Sequence, residues 1–335
     1  MTVTFSPEIR TRLDGLLSQF KRSADPGPFE YRWCHHEDGG RHPLHVVFGV
    51  MVHGNEFGSL PAVVRMVKSL QSGEVTFGGK VSIFIGNPEA AQENLRYLEA
   101  DLNRVFLDTG QNRHEDRRAQ QIIPILDAAD VLIDFHQTIL ETTCPFYIFP
   151  WHRSGWQWAR AIHSTDVWVT RNPKQGFSAG SKCTDEYVTD RGKPGMTVEL
   201  SQKGFSTEAE HLCWNTMLDT LRVAEEVGLG QSIDALAQQQ NELSFVETTF
   251  TERFDDPMKA LVPGLVNFRT VQAGQALHAP NSPPLIAPKS GSILFPKYPQ
   301  REDGQAVAPW PGEIYRIVAP MNEHPMVLWG DPTEP

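Results

Sequence analysis

Two short apolar runs that each end in a histidine are the feature that most constrains this chain. Residues 44–52 are followed at once by HGNE at 53–56, and residues 131–135 are followed by His136. Short apolar runs rich in Val and Ile are typical of buried strands. In open α/β sheets, ligands bind beyond the carboxyl ends of the strands. The pattern therefore predicts that His53 and His136 lie at one edge of a sheet.

The HGNE turn predicts two metal ligands. His53 and Glu56 are three residues apart, so a turn can direct an imidazole nitrogen and a carboxylate oxygen at one point. H-x-x-E alone also occurs by chance, and a polar strand cap is the alternative. His136 supplies a third ligand, and two-His, one-Glu zinc sites leave the fourth position to water. We therefore predict one zinc ion per chain, although these ligand types also suit cobalt, nickel or iron.

The net charge of the chain limits the classes of partner that it can bind. The formal net charge of the 335 residues is -11, which argues against a nucleic-acid surface or an anionic membrane as the partner. No apolar run approaches the length of a membrane span. We expect a small-molecule substrate, no nucleic acid and no membrane, and we leave homo-oligomer formation open. If that substrate is an anion, the pocket must be locally basic inside an acidic protein.

The number and spacing of the cysteines indicate the redox state of the compartment in which the protein works. The chain has four, none of them in a C-x-x-C pair, and they are Cys34, Cys144, Cys183 and Cys213. Such spacing is neither a disulfide framework nor a thiolate zinc site. The first residues also lack the apolar region of a signal peptide. We expect a cytoplasmic protein with reduced thiols.

Alternation of apolar strands with amphipathic helices over residues 1–240 predicts an α/β domain with a largely parallel or mixed sheet. From residue 241 to residue 335, short alternating segments separated by Pro and Gly predict a smaller all-β domain. Residues 96–104 are polar and lack a clean period, which predicts a loop or a broken turn. Residues 178–194 are polar and rich in glycine, which predicts a long loop.

A zinc site that hydrolyses an amide also needs a general base. Zinc polarises a carbonyl and lowers the pKa of water, and the base carries the proton to the leaving amine. Glu199, near the end of the strand predicted over 195–200, is the candidate; the alternative is a solvent-facing glutamate. Asp134 lies on the same side of its strand as His136 and could orient that histidine, or it is a buried capping aspartate.

Residues 96–104 also carry the groups that an anionic substrate needs. Arg96, Asn103 and Arg104 stand among hydrophobic positions, and guanidinium groups bind carboxylates in a bidentate manner. Asp101 could hold one of the arginines in place. The alternative is a surface salt-bridge cluster.

Five segments between residues 53 and 200 resemble the succinylglutamate desuccinylase/aspartoacylase family. They occur in the family's order and are HGNE at 53–56, GNPEA at 86–90, RYLEADLNRVF at 96–106, DFHQT at 134–138 and TVEL at 197–200. The third is long enough to be specific. The family is similar in fold to zinc carboxypeptidases, which implies an α/β/α sandwich with a mixed sheet. It also implies a C-terminal β domain, here 241–335, that caps the active site.

The resemblance implies a role for each matched residue. Zinc is held by His53, Glu56 and His136, and Glu199 is the general base. Arg96 polarises the scissile carbonyl and stabilises the oxyanion. Asn103 and Arg104 bind a substrate carboxylate.

Two further expectations come from the aspartoacylase branch of that family. The branch has a Tyr-x3-Arg pair before the base glutamate, whose arginine binds a second carboxylate. Tyr187 and Arg191 have this spacing but lie two residues closer to Glu199 than expected. The branch also uses a tyrosine of the C-terminal domain, for which Tyr315 is a candidate.

The implied function is zinc-dependent hydrolysis of the amide bond of a small N-acyl acidic amino acid, such as N-succinylglutamate or N-acetylaspartate. The products are a carboxylic acid and the free amino acid. One alternative is a zinc carboxypeptidase-like peptidase acting on short peptides, which would need an open cleft rather than a capped pocket. The other is a non-catalytic zinc-binding ligand sensor, which would not need Glu199. Fold alone does not decide between them.

Overall fold

A computed structural model describes residues 5–25, 30–36, 40–107, 110–178 and 180–331. In these ranges the α-helices are α1 (Pro7–Ser23), α2 (Leu60–Ser72), α3 (Pro88–Gln92), α4 (His114–Asp127), α5 (Arg153–Ile162), α6 (Thr184–Thr189), α7 (Thr207–Gly228), α8 (Ile233–Gln238) and α9 (Pro325–Trp329). A single 3-10 turn spans Leu102–Arg104. None of the helices in these ranges is both long and apolar enough to cross a lipid bilayer.

The strands in the same ranges follow the predicted alternation with helices. They are β1 (Arg32–His36), β2 (His45–Val50), β3 (Lys80–Ile85), β4 (Val131–Thr138), β5 (Phe146–Ile148), β6 (Val167–Thr170), β7 (Gly195–Gln202), β8 (Ser244–Arg253), β9 (Thr270–Val271), β10 (Gly291–Leu294), β11 (Arg301–Glu302), β12 (Gln305–Ala306) and β13 (Glu313–Pro320).

One mixed sheet organises the molecule. Among the described residues its strand order is β1-β3-β2-β4-β7-β5-β6-β8-β13-β10-β9. The strands β3, β2, β4 and β7 run parallel, and β5 runs antiparallel to β7. β4 thus lies between β2 and β7, so the carboxyl ends of these three strands meet at one edge. Both predicted histidines and Glu199 belong to that edge.

Helices cover both faces of the parallel strands. On β2, Val46, Phe48 and Val50 pack with residues of α1, α2, α5 and α7, whereas Val47 packs on the opposite face with residues of α4 and α6. Because successive strand residues point to opposite faces, an all-apolar strand is what a doubly covered sheet requires. The α/β/α sandwich with a mixed sheet is therefore confirmed.

The C-terminal region is rich in β-structure and continues the sheet. β8 pairs in parallel with β6 and antiparallel with β13, which in turn pairs with β10. Buried residues between Phe254 and Ile317 form a hydrophobic cluster of their own. The division of the chain at residues 240 and 241 into two domains stays a prediction.

The loop predicted over residues 178–194 is wrong in part, because the helix α6 lies within it. The Glu186 carboxylate accepts a hydrogen bond from the Cys183 backbone N–H at 3.0 Å, which closes the first turn. Tyr187 and Val188 then pack against the apolar face of α4. Tertiary packing thus stabilises a helix in a segment whose composition favours a loop.

Candidate active site

The three predicted metal ligands meet at the carboxyl edge of the sheet. His53 and Glu56 lie in the turn after β2, and His136 lies on the neighbouring strand β4. One donor atom from each residue lies within 4.8 Å of the other two. His53 Nδ1 is 2.9 Å from Glu56 Oε1, and His136 Nδ1 is 2.9 Å from Glu56 Oε2. All three side chains are buried, so this group could hold a metal ion.

The outer nitrogens of both imidazoles face carboxylates. His53 Nε2 is 3.0 Å from Asp101 Oδ1, and His136 Nε2 is 3.1 Å from Asp134 Oδ2. Both nitrogens of each imidazole therefore face a carboxylate, and if Nδ1 binds a cation together with Glu56, the proton of each neutral imidazole is left on Nε2, where Asp101 or Asp134 accepts it. The two Nδ1 lone pairs then face each other across 3.1 Å, beside Glu56. A cation between them removes this repulsion, so the donor set fits a metal of the zinc type.

The electrostatics of the cluster also favour positive charge. Burial opposes ionisation of Glu56, yet His53 and His136 hold the pKa of this carboxyl well below its usual range. Burial likewise opposes a charged His136, yet Asp134 and Glu56 hold the pKa of that imidazole well above its ordinary value. A proton and a metal cation therefore compete for the same centre, and metal affinity should fall as the pH falls.

The HGNE turn is fixed by close packing and by the neighbouring segments. A Cβ on Gly54 would lie 2.4 Å from the backbone nitrogen of Ala91, so only glycine fits against α3. The Gly54 N–H donates to the carbonyl of Arg96 at 2.9 Å, and the Gln137 N–H donates to Glu56 Oε2 at 3.1 Å. These contacts hold three of the motif segments together around the cluster.

Glu115 of α4, which the sequence analysis missed, holds the loop that carries Arg96 and Asp101. Its buried carboxylate accepts hydrogen bonds from the three successive backbone N–H groups of Leu98, Glu99 and Ala100, at 2.7, 3.1 and 2.9 Å. Asn87, in the GNPEA segment, donates to the same carboxylate at 3.0 Å. The conformation of residues 96–104 therefore depends on a helix that follows it in the chain.

Glu199 lies next to the cluster. It occupies β7 directly opposite His136 of β4 and is 9% exposed. Its Oε2 atom is buried without a hydrogen-bond partner among the described residues. Burial, reinforced by the charge of Glu56, raises the pKa of Glu199 to about 8. A bound cation would lower this pKa, so the carboxyl is suited to exchanging a proton near neutral pH.

Arg96 lies at the rim of the cluster. Its Nε donates to Asp101 Oδ2 at 3.1 Å and its Nη1 donates to Glu56 Oε1 at 3.2 Å. The contact expected between Asp101 and an arginine is therefore present. Because Asp101 also faces His53, one carboxylate holds both a candidate ligand and the candidate carbonyl-polarising group.

Asn103 and Arg104 lie on the other side of the cluster. Asn103 Oδ1 accepts the backbone N–H of Thr184 at 3.0 Å, and its Nδ2 is 3.4 Å from His136 Nε2. The Arg104 guanidinium donates from Nη1 to the Asn103 carbonyl at 2.6 Å and lies over the ring of Phe177. Both side chains line the same cavity as the cluster.

The structure does not bring Tyr187 and Arg191 to this cavity. Tyr187 lies on α6 and its hydroxyl donates to Asp127 Oδ1 at 2.8 Å. Arg191 Nε donates to the same Asp127 oxygen at 2.8 Å. α6 thus directs the pair toward the end of α4, where Asp127 compensates the charge. The expected substrate-binding role is not supported, and we do not include the pair in the site.

Tyr315 does not reach the cavity either. It is fully buried on β13 within the C-terminal hydrophobic cluster, and burial raises the pKa of its hydroxyl to about 12. It is not among the described residues that line the cavity. Its match to the family's C-terminal tyrosine is therefore not supported.

The cavity has a volume of about 640 Å³ and is lined by the three candidate metal ligands and by Arg96, Asn103, Arg104 and Glu199. Residues 295–300 and 307–311 of the C-terminal region form one wall. Charged side chains that the sequence analysis missed also line it, and they are Arg171, Asp185, Lys297 and Glu313. No local pattern distinguishes these four from surface charges, because their positions depend on long-range packing.

We expect Asp134→Asn to weaken zinc binding about 10- to 100-fold, because the amide orients the His136 imidazole less strongly than the carboxylate does. The dissociation constant can be measured by competition with a chromogenic chelator. Asp127→Asn makes the same chemical change outside the cavity and should bind zinc as the unchanged protein does. An unchanged dissociation constant for Asp134→Asn would remove Asp134 from the support of the metal centre.

Comparisons with known proteins agree with this geometry. Residues 46–224, more than half of the chain, match the Succinylglutamate desuccinylase/Aspartoacylase catalytic domain. A succinylglutamate desuccinylase of Serratia proteamaculans (strain 568) is 31% identical over 118 residues, which cover 31% of this chain and 36% of that protein. A probable aspartoacylase of Acaryochloris marina (strain MBIC 11017) is 26% identical over 165 residues, which cover 46% of this chain and 51% of that protein. The chain thus spans about half or less of the length of these relatives.

Solved structures share the fold. The succinylglutamate desuccinylase of Vibrio cholerae has a TM-score of 0.64 at 17% identity, covering 91% of this chain and 95% of that one. Murine aminoacylase 3 has a TM-score of 0.62 at 16% identity, and the match covers 83% of this chain and 96% of that one. At such identities the likeness concerns the fold alone, whereas the domain match extends over every predicted metal ligand and Glu199. The chain belongs to the succinylglutamate desuccinylase/aspartoacylase family.

Proposed function

We propose that this protein is a zinc-dependent deacylase that hydrolyses the amide bond of a small N-acyl amino acid. The observation that carries the proposal is the position of Glu199 on β7, directly opposite His136 on β4 and beside the His53–Glu56–His136 cluster. A buried carboxyl with an unpartnered oxygen is thus next to a centre that favours positive charge. Family membership and the names of the relatives support the same reaction class.

His53, Glu56 and His136 would hold one zinc ion per chain, with Asp101 and Asp134 orienting the two imidazoles. When bound, zinc polarises the amide carbonyl and lowers the pKa of water. Neutral histidines and a carboxylate suit this ion, and three protein donors leave a position open, as catalytic zinc sites require.

Glu199 would act as general base and then as general acid. Its free Oε2 takes a proton from the attacking water and returns it to the leaving nitrogen. Such transfer is most effective when the pKa of the group lies near the working pH. The burial that raises the pKa of Glu199, opposed by a nearby cation, places the group in that range.

Arg96, Asn103 and Arg104 would orient the substrate. Arg96 is held by Asp101 and Glu56 beside the cluster, where a fixed guanidinium can stabilise negative charge that develops on the carbonyl oxygen. Arg104 lies further along the cavity and would bind the carboxylate of the amino acid. Asn103 would hold Arg104 in place through its backbone carbonyl.

The two alternatives are less well supported. A peptidase needs a cleft that admits a chain, whereas residues 295–300 and 307–311 of the C-terminal region line this cavity and reduce the room for a chain. A non-catalytic metal-binding sensor does not need a buried carboxylate beside the metal, and burial of Glu199 Oε2 with no hydrogen-bond partner in the described part of the chain costs stability. We therefore favour the deacylase.

The proposal is tested by measuring amine release from a panel of N-acyl amino acids and short peptides, with added zinc and with a chelator. We expect at least one N-acyl amino acid to be hydrolysed in a chelator-sensitive reaction, and peptides to react at least about 100-fold more slowly, because the C-terminal residues that line the cavity reduce the room for them. Zinc-loaded protein that releases no amine from any N-acyl amino acid would contradict the proposal.

A further inference from the structure

Most of the cationic side chains that line the cavity are paired with carboxylates of the protein. Among the described residues that line it, the cationic side chains of lysine and arginine are Arg96, Arg104, Arg171 and Lys297. Arg171 Nη2 is 2.6 Å from Glu186 Oε1, and Lys297 Nζ is 3.3 Å from Glu313 Oε1. Arg96 is paired with Asp101 and Glu56. The sequence led us to expect a locally basic pocket for an anionic substrate, but three of its four cations are paired with carboxylates of the protein.

Arg104 differs from these cations. Its guanidinium donates to the carbonyl of Asn103 and, at 3.2 Å, to the sulfur of Cys183, both of which are uncharged groups. Within the described ranges it forms no ion pair with a carboxylate. The ring of Phe177 supports it from one face, 4.5 Å from the guanidinium carbon. Arg104 therefore offers a ligand in the cavity a guanidinium that is fixed by uncharged groups and is not held in an ion pair with a carboxylate of the described residues.

The surroundings of Arg104 limit how much negative charge the ligand can carry. Arg316 also lies over Phe177, but its Nε is 2.9 Å from each oxygen of Glu313. The buried carboxyl of Asp185 lines the same end of the cavity and has an oxygen without a partner among the described residues. Arg104 can balance one substrate carboxylate, whereas a further carboxylate would have to share a cation that already contacts a carboxylate of the protein.

Part of the cavity lining is apolar. Ile139 and Leu140, which follow the end of β4, line the cavity together with Val307 and Trp310 of the C-terminal region. Ile139 is 44% exposed and Trp310 is 46% exposed. Exposed apolar side chains in a cavity that also holds a few polar groups are typical of a site that buries an apolar part of its ligand.

We propose that the substrate carries one carboxylate, bound by Arg104, and a bulky apolar group that packs against Ile139, Leu140, Val307 and Trp310. This inference rests on the proposed deacylase function and narrows its substrate class. The apolar group belongs either to the amino-acid side chain or to the acyl chain, since both are joined to the amide. In either case the preferred substrate differs from N-succinylglutamate and N-acetylaspartate, which carry additional carboxylates.

The substrate class is tested with the zinc-loaded protein by comparing kcat/KM for four compounds. N-acetylphenylalanine and N-octanoylglycine place the apolar group on the side chain and on the acyl chain, respectively. N-acetylaspartate and N-succinylglutamate represent acidic substrates. We expect one of the first two to exceed both acidic compounds by at least about 10-fold, the effect of burying one large apolar group.

A preference for either acidic compound would overturn this inference and leave the deacylase function in place. Hydrolysis of none of the four, together with silence across the wider panel, would overturn both. The two failures are thus distinguishable.

The role of Arg104 is tested by comparing the preferred substrate with its primary amide, which lacks the carboxylate. In the unchanged protein the acid should be the better substrate, and Arg104→Gln should reduce the acid-to-amide ratio of kcat/KM about 10- to 100-fold, the range for a charge-assisted hydrogen bond. Arg191→Gln removes a guanidinium outside the cavity and should leave the ratio unchanged. If the unchanged protein does not distinguish acid from amide, Arg104 is not a carboxylate site.

The apolar part of the cavity lining is tested by the ratio of kcat/KM for N-acetylphenylalanine to that for N-acetylglycine, or of N-octanoylglycine to N-acetylglycine. Trp310→Ala should lower the ratio for the preferred apolar substrate about 5- to 10-fold, because an aromatic contact is lost. Ile139→Ala provides a second, smaller truncation, and because Ile139 is 44% exposed this change carries little risk to folding. If neither variant changes either ratio, the apolar group does not bind at this part of the lining.

Discussion

Glu199→Gln is expected to lower kcat by two to four orders of magnitude while zinc remains bound. The amide keeps the shape of the side chain but cannot accept a proton, and loss of general-base catalysis has effects of this size. Glu199 contributes no donor atom to the His53–Glu56–His136 group, so the metal content should not change. The measurement is kcat for the preferred substrate, on samples whose zinc content has been determined.

The melting temperature distinguishes the loss of general-base catalysis in Glu199→Gln from unfolding of the variant. A buried carboxyl with an unpartnered oxygen is costly, so its replacement by a neutral amide should leave the melting temperature unchanged or raise it. Glu242→Gln is a matched control, since Glu242 is half-exposed and pairs with Trp156 and Arg160 rather than with the site. Glu199→Gln with the same kcat as the unchanged protein would exclude Glu199 as the general base.

His53→Ala is expected to abolish both zinc binding and activity. It removes one of three donors and leaves Asp101 without the imidazole that it faces at 3.0 Å. With only Glu56 and His136 left, the site lacks the three protein ligands that catalytic zinc centres use. Equilibrium dialysis followed by metal analysis should give about one zinc per chain for the unchanged protein and about none for the variant.

The matched control for this change is His211→Ala, which removes an exposed imidazole from α7. It should retain one equivalent of zinc and the activity of the unchanged protein. Retention of one equivalent by His53→Ala would show that the ion is held elsewhere and would refute the ligand assignment.

The convergence of His53, Glu56 and His136 could be predicted from sequence because the position of each depends on a short-range signal. An apolar run that stops at a polar turn marks the end of a buried strand, as at β2 and β4, and open α/β sheets collect ligands at such ends. The glycine of HGNE is required by the contact between Gly54 and Ala91, so its presence reflects local packing. The fold class follows from the same alternation of strands and helices.

The side chains of Tyr187 and Arg191, expected to bind a second carboxylate, lie outside the cavity, and their position could not be predicted in this way. The Tyr-x3-Arg spacing places Tyr187 and Arg191 on one side of a short helix, but α6 packs on α4, where Asp127 pairs with both. Spacing along the chain does not determine the direction in which a helix faces, because that depends on the tertiary contacts of its buried side chains.

The charge of the pocket was likewise not accessible from sequence. The acidic composition and the arginines of residues 96–104 predicted a locally basic pocket, whereas Arg171 and Lys297 are paired with carboxylates from other elements of the chain, Glu186 and Glu313. Ion pairs of this kind form between side chains that no local pattern connects. Because these ion pairs determine which cations are left for a substrate, the substrate class can be narrowed only with the structure.

The central claim is that a metal ion at His53, Glu56 and His136 supports amide hydrolysis. The measurement that tests it most directly is amine release by metal-depleted protein during stepwise addition of zinc, with the preferred N-acyl amino acid as substrate. We predict no activity without metal, a linear increase up to one zinc per chain and no further increase beyond that point. Full activity in the metal-depleted protein, or one bound equivalent without amine release, would contradict the account.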